Sequence, residues 1–257
     1  MYKTVGDHNF EINTSVPWIR DFFIKNFRPI KCNESTPDFQ IIVEEEYGKS
    51  FVDYNVQITK KSGKLYFQRS DYLIEADTNF KKSRIYVHDE LSLKHAMMNL
   101  YSSYIVYQRW GLMIHSSCAI EEGIAHIFAG QSGAGKSTAA RLSQPRELLS
   151  DEATLVKISP DGIFVFDSPF RSGIETGGSV SAAPLASIQL LHQDLHNNRV
   201  LLGKADGLLN LMDKVFYWAH APDETKKVMG LLKNLIEQVP SYNLHFKKDD
   251  TFWELIS

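Results

Sequence analysis

Apolar and polar residues alternate along the first part of the chain in a way that predicts a β-rich domain. The strand candidates, rich in β-branched and aromatic residues, are residues 39–43, 54–58, 65–67 and 84–87. Ser62-Gly63 is a typical hairpin turn between two of them. Apolar residues then recur at helical spacing from Leu91 to Trp110, which predicts a buried helix. We therefore expect a small β-rich α+β domain over residues 1–105, closed by a helix, and a second domain over residues 106–257.

The second domain begins with two apolar segments, residues 112–120 and 124–128, that read as strands. Only Glu121-Glu122-Gly123 lies between them, and so short a connection joins antiparallel strands. Further on, the pattern predicts a glycine-rich loop over residues 168–184. The remaining predicted elements are strands at 154–158, 163–166 and 186–192 and amphipathic helices at 206–219 and 222–238.

The segment after the second arm of this hairpin reads Gly-Gln-Ser-Gly-Ala-Gly-Lys-Ser over residues 130–137 and is followed by helix-forming residues. It fits the phosphate-binding pattern G-x-x-x-x-G-K-[ST] in the strand–loop–helix context that the motif requires. Glycines allow backbone N–H groups to converge on phosphate oxygens. Lys136 is expected to reach the β- and γ-phosphates, and Ser137 to bind Mg²⁺. The predicted nucleotide-binding residues are Gly130, Ser132, Gly133, Ala134, Gly135, Lys136, Ser137 and Thr138.

Three further side chains are candidates for chemistry beside this loop. Asp151 and Glu152 follow the loop helix and a short apolar run, which returns the chain to the side of the sheet where the loop lies. Phosphoryl transfer needs carboxylates that hold a metal and accept the proton of the acceptor, and this pair can supply both. His115 lies on the strand paired with the loop strand, where a histidine can tune the base or contact the acceptor.

Composition narrows the function classes. The chain has 257 residues and a net charge of −3, without a basic stripe, so nucleic acid is not an expected partner. No apolar run is long enough for a membrane span, and the first residues do not resemble a signal peptide. Cys32 and Cys118 lie far apart without metal-ligand spacing, which favours a reducing compartment. These features predict a cytoplasmic protein that has no membrane partner.

The order Ile114-His115-Ser116-Ser117, hairpin, Gly130–Ser137 and Leu148-Leu149-Ser150-Asp151-Glu152 resembles that of HPr kinase/phosphorylase-like proteins. The resemblance covers roughly residues 110–195. It implies an α/β fold in which a P-loop kinase domain of the HPr kinase/phosphoenolpyruvate carboxykinase type has a mixed sheet. It also implies that His115, Lys136, Asp151 and Glu152 are catalytic, that Ser137 and the two acids hold the metal, and that self-association to a homo-oligomer is plausible.

Departures from that family are also visible. Glu152 stands where HPr kinases usually have a second aspartate, and their Glu-Ile-Arg-Gly-Leu-Gly stretch is replaced by residues 166–173. Asp167 and Glu175 are candidate substitutes for a metal carboxylate, and Arg171 is a candidate contact to phosphate or substrate. The N-terminal half does not match the HPr kinase N-terminal domain. The chain thus resembles divergent stand-alone relatives, of which the lasso-peptide tailoring kinases are the best-defined group.

The expected function is an ATP-dependent kinase, with Mg²⁺, that phosphorylates a serine hydroxyl of a peptide or protein such as a ribosomal lasso-peptide precursor. A P-loop ATPase or nucleotide-binding switch and a small-molecule kinase remain alternatives. The motif binds phosphates and does not recognise the base, so a phosphate donor other than ATP is also an alternative.

Overall fold

A computed structural model describes residues 1–30, 36–174, 179–219 and 221–256. Cys32 and Glu175 therefore lie outside the described residues. The chain divides into two compact units, one formed by Met1–Tyr107 with Tyr217–Glu224 and the other by Gln108–Phe216 with Thr225–Ser257. The class is α/β, with a mixed sheet in each unit.

The described residues of the first unit form a mixed sheet together with helices. Its strand order is β3-β1-β2-β4-β8-β7-β6-β5, in which β2, β4 and β8 are parallel neighbours and the other pairs are antiparallel. Its elements are β1 (Tyr2–Val5), β2 (His8–Asn13), α1 (Pro17–Asn26), β3 (Arg28–Pro29), β4 (Phe39–Glu44), β5 (Gln57–Lys61), β6 (Lys64–Gln68), β7 (Tyr72–Asp77), β8 (Lys82–Val87) and α2 (Glu90–Tyr107).

Alternating burial along the strands explains how this sheet forms one apolar face. In β4, Phe39, Ile41 and Val43 are buried while the residues between them are not. Helix α2 is apolar or small over most of its surface, and Leu93 and Ile105 are among its fully buried residues. A helix with so few charged positions is stable only when it is covered, so α2 belongs to the core of this unit.

The second unit contains the loop of residues 130–137. Its strand order is β10-β9-β12-β13-β14-β16-β15, and β11 also pairs with β9. Its elements are β9 (Gly111–Glu121), β10 (Ile124–Ala129), α3 (Lys136–Leu142), β11 (Leu148–Ser150), β12 (Ala153–Ser159), β13 (Gly162–Phe166), β14 (Ala182–Gln193), β15 (Asn198–Leu201), α4 (Lys204–Met212), most of α5 (Pro222–Gln238), β16 (Ser241–Phe246) and a 3₁₀ helix (Asp250–Leu255).

Strand β10 has partners on both of its edges, and this closes the strand pairings into a circuit. It is antiparallel to β9 and parallel to β14, while β9, β12, β13 and β14 are joined in turn by antiparallel pairs. Strand β16 extends the parallel part as the other neighbour of β14. Because β10 and β14 run in the same direction, their carboxyl ends lie together, which is where open α/β sheets place ligands.

The β9–β10 connection is a two-residue hairpin turn. Glu122 and Gly123 have φ values of 49° and 82°, and Glu121 pairs with Ile124 across the turn. Two successive positive φ values are the signature of the type I′ turn, whose twist matches that of the flanking strands. The antiparallel hairpin predicted in front of the loop is thus present.

Several predicted elements differ in extent from the observed ones. The helix expected over residues 206–219 is wrong in its second half, because α4 ends at Met212 and Val215 instead pairs with Ile114 on β9. Strand β5 begins at Gln57, three residues later than expected, and β14 begins at Ala182, inside the predicted loop 168–184. The boundaries of these elements are set by strand pairing in the sheet and not by the local apolar pattern.

None of the helices in the described parts of the chain is long and apolar enough to cross a membrane. Cys118 is a buried free thiol on β9, and burial raises the pKa of this thiol. A buried thiol of this kind packs as a small apolar residue.

Candidate functional site

Strand β9 exchanges its neighbours on both edges at His115 and Ser116. On one edge β12 pairs up to His115, after which the N–H of Ser116 donates to the carbonyl of Glu152 at 3.1 Å. On the other edge β10 ends where Ala129 faces Ser116, and the N–H of His115 donates to the carbonyl of Lys214 at 2.7 Å. The glycine loop, the acidic pair and the segment around Lys214 therefore all meet β9 at one level.

Two glycines of the loop are required by close packing and backbone conformation. Gly135 has a φ of 106°, and a Cβ atom there would lie 2.7 Å from the ring of Phe246. A Cβ atom on Gly130 would lie 2.7 Å from the Cβ of Ala134. The loop thus turns tightly against β16 before it enters α3.

Lys136 lies against the loop that precedes it. Its ammonium group donates to the carbonyl oxygens of Gly130 and Gln131 at 2.9 and 3.0 Å, and the side chain is largely buried. Its own carbonyl accepts a 3.1 Å hydrogen bond from the hydroxyl of Ser117 on β9. Burial and the nearby charge of Lys214 lower the pKa of Lys136. A positive group is thus held at the base of the loop.

Ser137, the predicted metal ligand, is exposed at the start of α3, while Thr138 is half-buried. Within the described residues, no group of three or more His, Cys, Asp or Glu side chains is arranged to hold a metal ion. A loop serine with one carboxylate is a smaller set, of the kind that Mg²⁺ uses when substrate phosphates and water complete its shell.

A cavity of about 540 Å³ opens beside the loop at the carboxyl end of β14. The side-chain amide of Gln193 donates to the carbonyl of Gly133 at 2.6 Å and ties the end of β14 to the loop. The volume of this cavity lies in the range of small-molecule sites. The lining residues are Gly130, Gln131, Ser132, Gly133, Ala134, Leu190, Leu191, His192, Gln193, Asn210 and Lys214.

His115 is half-buried at the level where β9 changes partners. Its ring lies 5.4 Å from the ring of Phe216, centroid to centroid. Burial, together with the positive charges of Lys136 and Lys214, lowers the pKa of His115 to about 4. The imidazole is therefore neutral near pH 7 and can accept or donate a hydrogen bond without a charge of its own.

Asp151 is buried and its carboxylate is engaged by the loop that follows β13. The N–H groups of Ser172 and Ile174 and the hydroxyl of Ser172 donate to this carboxylate at distances of 2.9 to 3.1 Å. Three donors thus hold this carboxylate against the loop. In this arrangement Asp151 positions the loop segment 172–174, and its role as metal ligand or base stays a prediction.

Glu152 differs from its neighbour, because its side chain is only half-buried. Two residues after Glu152, buried hydroxyls join β12 to β9: Ser116 donates to Thr154 at 2.7 Å, and Thr154 donates to the carbonyl of Ser116 at 3.1 Å. These bonds fix the turn between β11 and β12 against β9, and with it the main chain of both acids.

Two further candidates, Asp167 and Arg171, form an ion pair with each other. Arg171 also donates to the carbonyls of Leu148 and Leu149, each at 3.3 Å. These bonds join the loop after β13 to β11, directly before the acidic pair. The third candidate, Glu175, lies outside the described residues.

Lys214 was missed by the sequence-based reasoning, which placed it in the middle of a helix. The structure places it on the cavity wall, 8% exposed and paired with the carboxylate of Asp213. The sequence offered only a weak signal for Lys214, namely that the pair Asp213-Lys214 follows the last apolar residues of the predicted helix.

The chain matches a known protein family over most of its length. Residues 80–257 match the model of the family described as ScmC, SynChlorMet cassette protein ScmC. No match was found among the curated proteins. The matched region contains the whole candidate site.

Proposed function

The chain belongs to the ScmC family of SynChlorMet cassette proteins, and we propose that it is an ATP-dependent kinase that phosphorylates a serine hydroxyl of a peptide or protein. The observation that carries this proposal is the meeting of a P-loop, an acidic pair and a histidine at one level of β9. A loop alone would support nucleotide binding only. Carboxylates beside it add what transfer to a hydroxyl requires.

In the proposed reaction the hydroxyl oxygen of the acceptor forms a bond to the γ-phosphorus while the bond from that phosphorus to the β-phosphate oxygen breaks. ADP leaves, and the hydroxyl proton passes to a carboxylate. Glu152 is the better placed of the two acids for this, because its side chain is less buried and the carboxylate of Asp151 is held by three donors. His115, neutral near pH 7, would orient the acceptor hydroxyl.

The residues present fit ATP and Mg²⁺. Lys136 would exchange its bonds to the loop carbonyls for bonds to phosphate oxygens, and the loop main chain would surround the β-phosphate. Ser137 with Glu152 or Asp151 would hold Mg²⁺, which supplies charge neutralisation between the two terminal phosphates when it is bound.

A fold of the HPr kinase/phosphoenolpyruvate carboxykinase type is part of the same proposal. It is supported by the antiparallel hairpin in front of the loop and by the parallel pairing of β10 with β14 in a mixed sheet. Most P-loop proteins reach the loop from a strand of a parallel βαβ unit instead.

The acceptor is proposed by chemistry and by context. The family description names a cassette, so we take the peptides and proteins encoded beside this gene as the acceptors to test, including any ribosomally made peptide precursor. The loop after β13, tied to Asp151, is the segment that we expect to face this acceptor.

The test is incubation of the protein with γ-labelled ATP, Mg²⁺ and each neighbouring gene product, followed by mass spectrometry. We expect label on a serine with the wild type and none with Lys136→Ala, while Lys233→Ala, a change on an exposed face of α5, keeps full transfer. Release of phosphate without acceptor labelling would support a P-loop ATPase instead. Labelling of a metabolite alone would support a small-molecule kinase.

A further inference from the structure

Lys214 is a buried cation for which the fold itself offers little compensation. Its side chain is 9% exposed, whereas that of its partner Asp213 is 63% exposed and faces solvent. Water and salt screen the charge of an exposed carboxylate, so this pair offsets only part of the cost of burying an ammonium group.

The main chain holds Lys214 firmly in place. Its N–H donates to the carbonyl of Leu211 at 2.9 Å, and its carbonyl accepts the N–H of His115. Two residues later the N–H of Phe216 donates to the carbonyl of Met113 at 2.9 Å. The backbone on both sides of Lys214 is thus tied to α4 or β9, which fixes the side chain on the cavity wall.

A second cation, Lys136, lies in the same neighbourhood. Its ammonium group lies on the carbonyl oxygens of Gly130 and Gln131, and these two residues line the same cavity as Lys214. Two ammonium groups beside one cavity repel each other and raise the free energy of the site without a ligand. A ligand with several negative charges would relieve this repulsion and the desolvation cost together.

We propose that Lys214 is a second phosphate-binding residue, whose ammonium group leaves Asp213 and contacts the terminal phosphate of a bound nucleoside triphosphate. The inference rests on the proposed nucleotide site. The position of Lys214 favours the terminal phosphate. Its main-chain carbonyl accepts the N–H of His115 at the level of β9 where β10 passes into the loop. Lys214 gives up no proton in this role and neutralises charge on the transferred group.

Affinity for ATP and ADP separates this role from a structural one. We expect Lys214→Met, which keeps the length of the side chain without its charge, to weaken ATP binding by about 10- to 100-fold in isothermal titration. ADP lacks the terminal phosphate, so the affinity of Lys214→Met for ADP should be less than about threefold below that of the wild type. Lys214→Arg should bind ATP more tightly than Lys214→Met. Asp213→Asn, which removes the competing carboxylate, should bind ATP at least as tightly as the wild type.

Lys233→Met is the matched control, since this exposed lysine also has an acidic partner, Glu237, and lies on α5 away from the cavity lining. It should bind both nucleotides like the wild type. Equal weakening of ATP and ADP by Lys214→Met, wild-type affinity in that variant, or weaker ATP binding by Asp213→Asn would each overturn the proposal. Thermal unfolding of each variant would show that the fold is intact.

Inorganic tripolyphosphate separates this inference from the proposed function. If the wild type binds tripolyphosphate in a manner that depends on Lys214 but does not bind ATP, the cation site stands and the nucleotide function fails. If ATP binding requires Lys136 but not Lys214, the nucleotide site stands and the role of Lys214 fails. If neither ligand binds, both are overturned.

Discussion

The main-chain N–H of His115 donates to the carbonyl oxygen of Lys214 at 2.7 Å, so a histidine picked out by sequence and a lysine that was not are held side by side. The bond exists because β10 leaves β9 at Ser116 and residues 214–216 take over the vacated edge. One part of this edge of β9 therefore pairs with β10, the strand that leads into the loop, and the next part binds the segment that contains Lys214.

Phe216 is expected to keep His115 neutral by covering its ring, with 5.4 Å between the ring centroids. Phe216→Ala should admit water and raise the pKa of His115 from about 4 toward the ordinary value near 6.5. An NMR titration of the histidine ring protons, with His115→Asn to assign the signal, measures this. A pKa that stays near 4 would show that Lys136 and Lys214, not burial under Phe216, set it.

Gly135→Ala is expected to damage the loop more than Gly133→Ala. Both positions have positive φ values, 106° and 80°, but only at Gly135 would the new Cβ atom meet the ring of Phe246, at 2.7 Å. We expect a loss of about 2 kcal/mol or more in the free energy of unfolding for Gly135→Ala and about 1 kcal/mol for Gly133→Ala, measured by urea denaturation.

The contact with Phe246 can be tested separately. Phe246→Leu should recover part of the loss in the Gly135→Ala background, because the smaller side chain leaves room for a methyl group. Additive effects of the two changes would mean that backbone strain alone explains the requirement for glycine.

Asp151→Asn is expected to loosen the loop segment 172–174 and to abolish transfer while nucleotide binding persists. The amide group of asparagine offers one acceptor oxygen to the N–H groups of Ser172 and Ile174 where the carboxylate offers two, and its NH₂ group cannot accept, so this set of hydrogen bonds is weakened. Faster hydrogen exchange of that segment, a labelled-phosphate assay and ATP titration measure the three effects. Asp161→Asn, in the exposed β12–β13 turn, is the control, and full transfer by Asp151→Asn would refute any role of Asp151 in the transfer.

Stability is expected to fall with acidification because His126 is buried. Burial, with the charge of Arg199 next in size, lowers the pKa of His126 to about 4, and its Nδ1 lies 2.8 Å from the hydroxyl of Ser187. The unfolded chain therefore takes up this proton first, and stability that is complete above about pH 6.5 is lost as pH falls toward 4.

Urea denaturation between pH 7.5 and 4.5 measures this effect. His126→Gln should reduce the pH slope by up to about 1.4 kcal/mol per pH unit in the window from 6.5 to 4. Part of the slope should remain, because burial also lowers the pKa of His95 and His115 to about 4. Identical slopes in the wild type and the variant would show that His126 is protonated at no cost in the folded state.

Glu122→Asn is expected to stabilise the hairpin that leads to the loop by about 0.5 to 1 kcal/mol, because Asn-Gly suits two positive φ values better than Glu-Gly. Glu122 is exposed, so packing is unchanged. Gly123→Ala should destabilise, since the φ there is 82°. Denaturation midpoints of the two variants measure the difference, and a midpoint for Glu122→Asn below that of the wild type would argue against the turn type.

The sequence by itself determined the parts of this protein that depend on local order. The phosphate-binding loop at 130–137 can be recognised in the sequence because phosphate binding needs glycines and a lysine at fixed spacing. The β9–β10 hairpin can be recognised in the sequence because a connection of only three residues, Glu121-Glu122-Gly123, joins antiparallel strands, although the observed turn is one residue shorter. Helix α2 was visible from its apolar period, while β1, β2 and α1 were not singled out, because their mixed pattern gains its meaning only within the sheet.

Tertiary structure decided which side chains meet. Lys214 lies beside His115 because strand pairing with β9 ends α4 at Met212, although local propensity would continue the helix. Asp151 turned toward the backbone donors of Ser172 and Ile174 because a buried carboxylate needs such partners, and they come from a loop more than twenty residues away. Contacts of this kind join positions that are distant along the chain, so no local pattern of residues contains them.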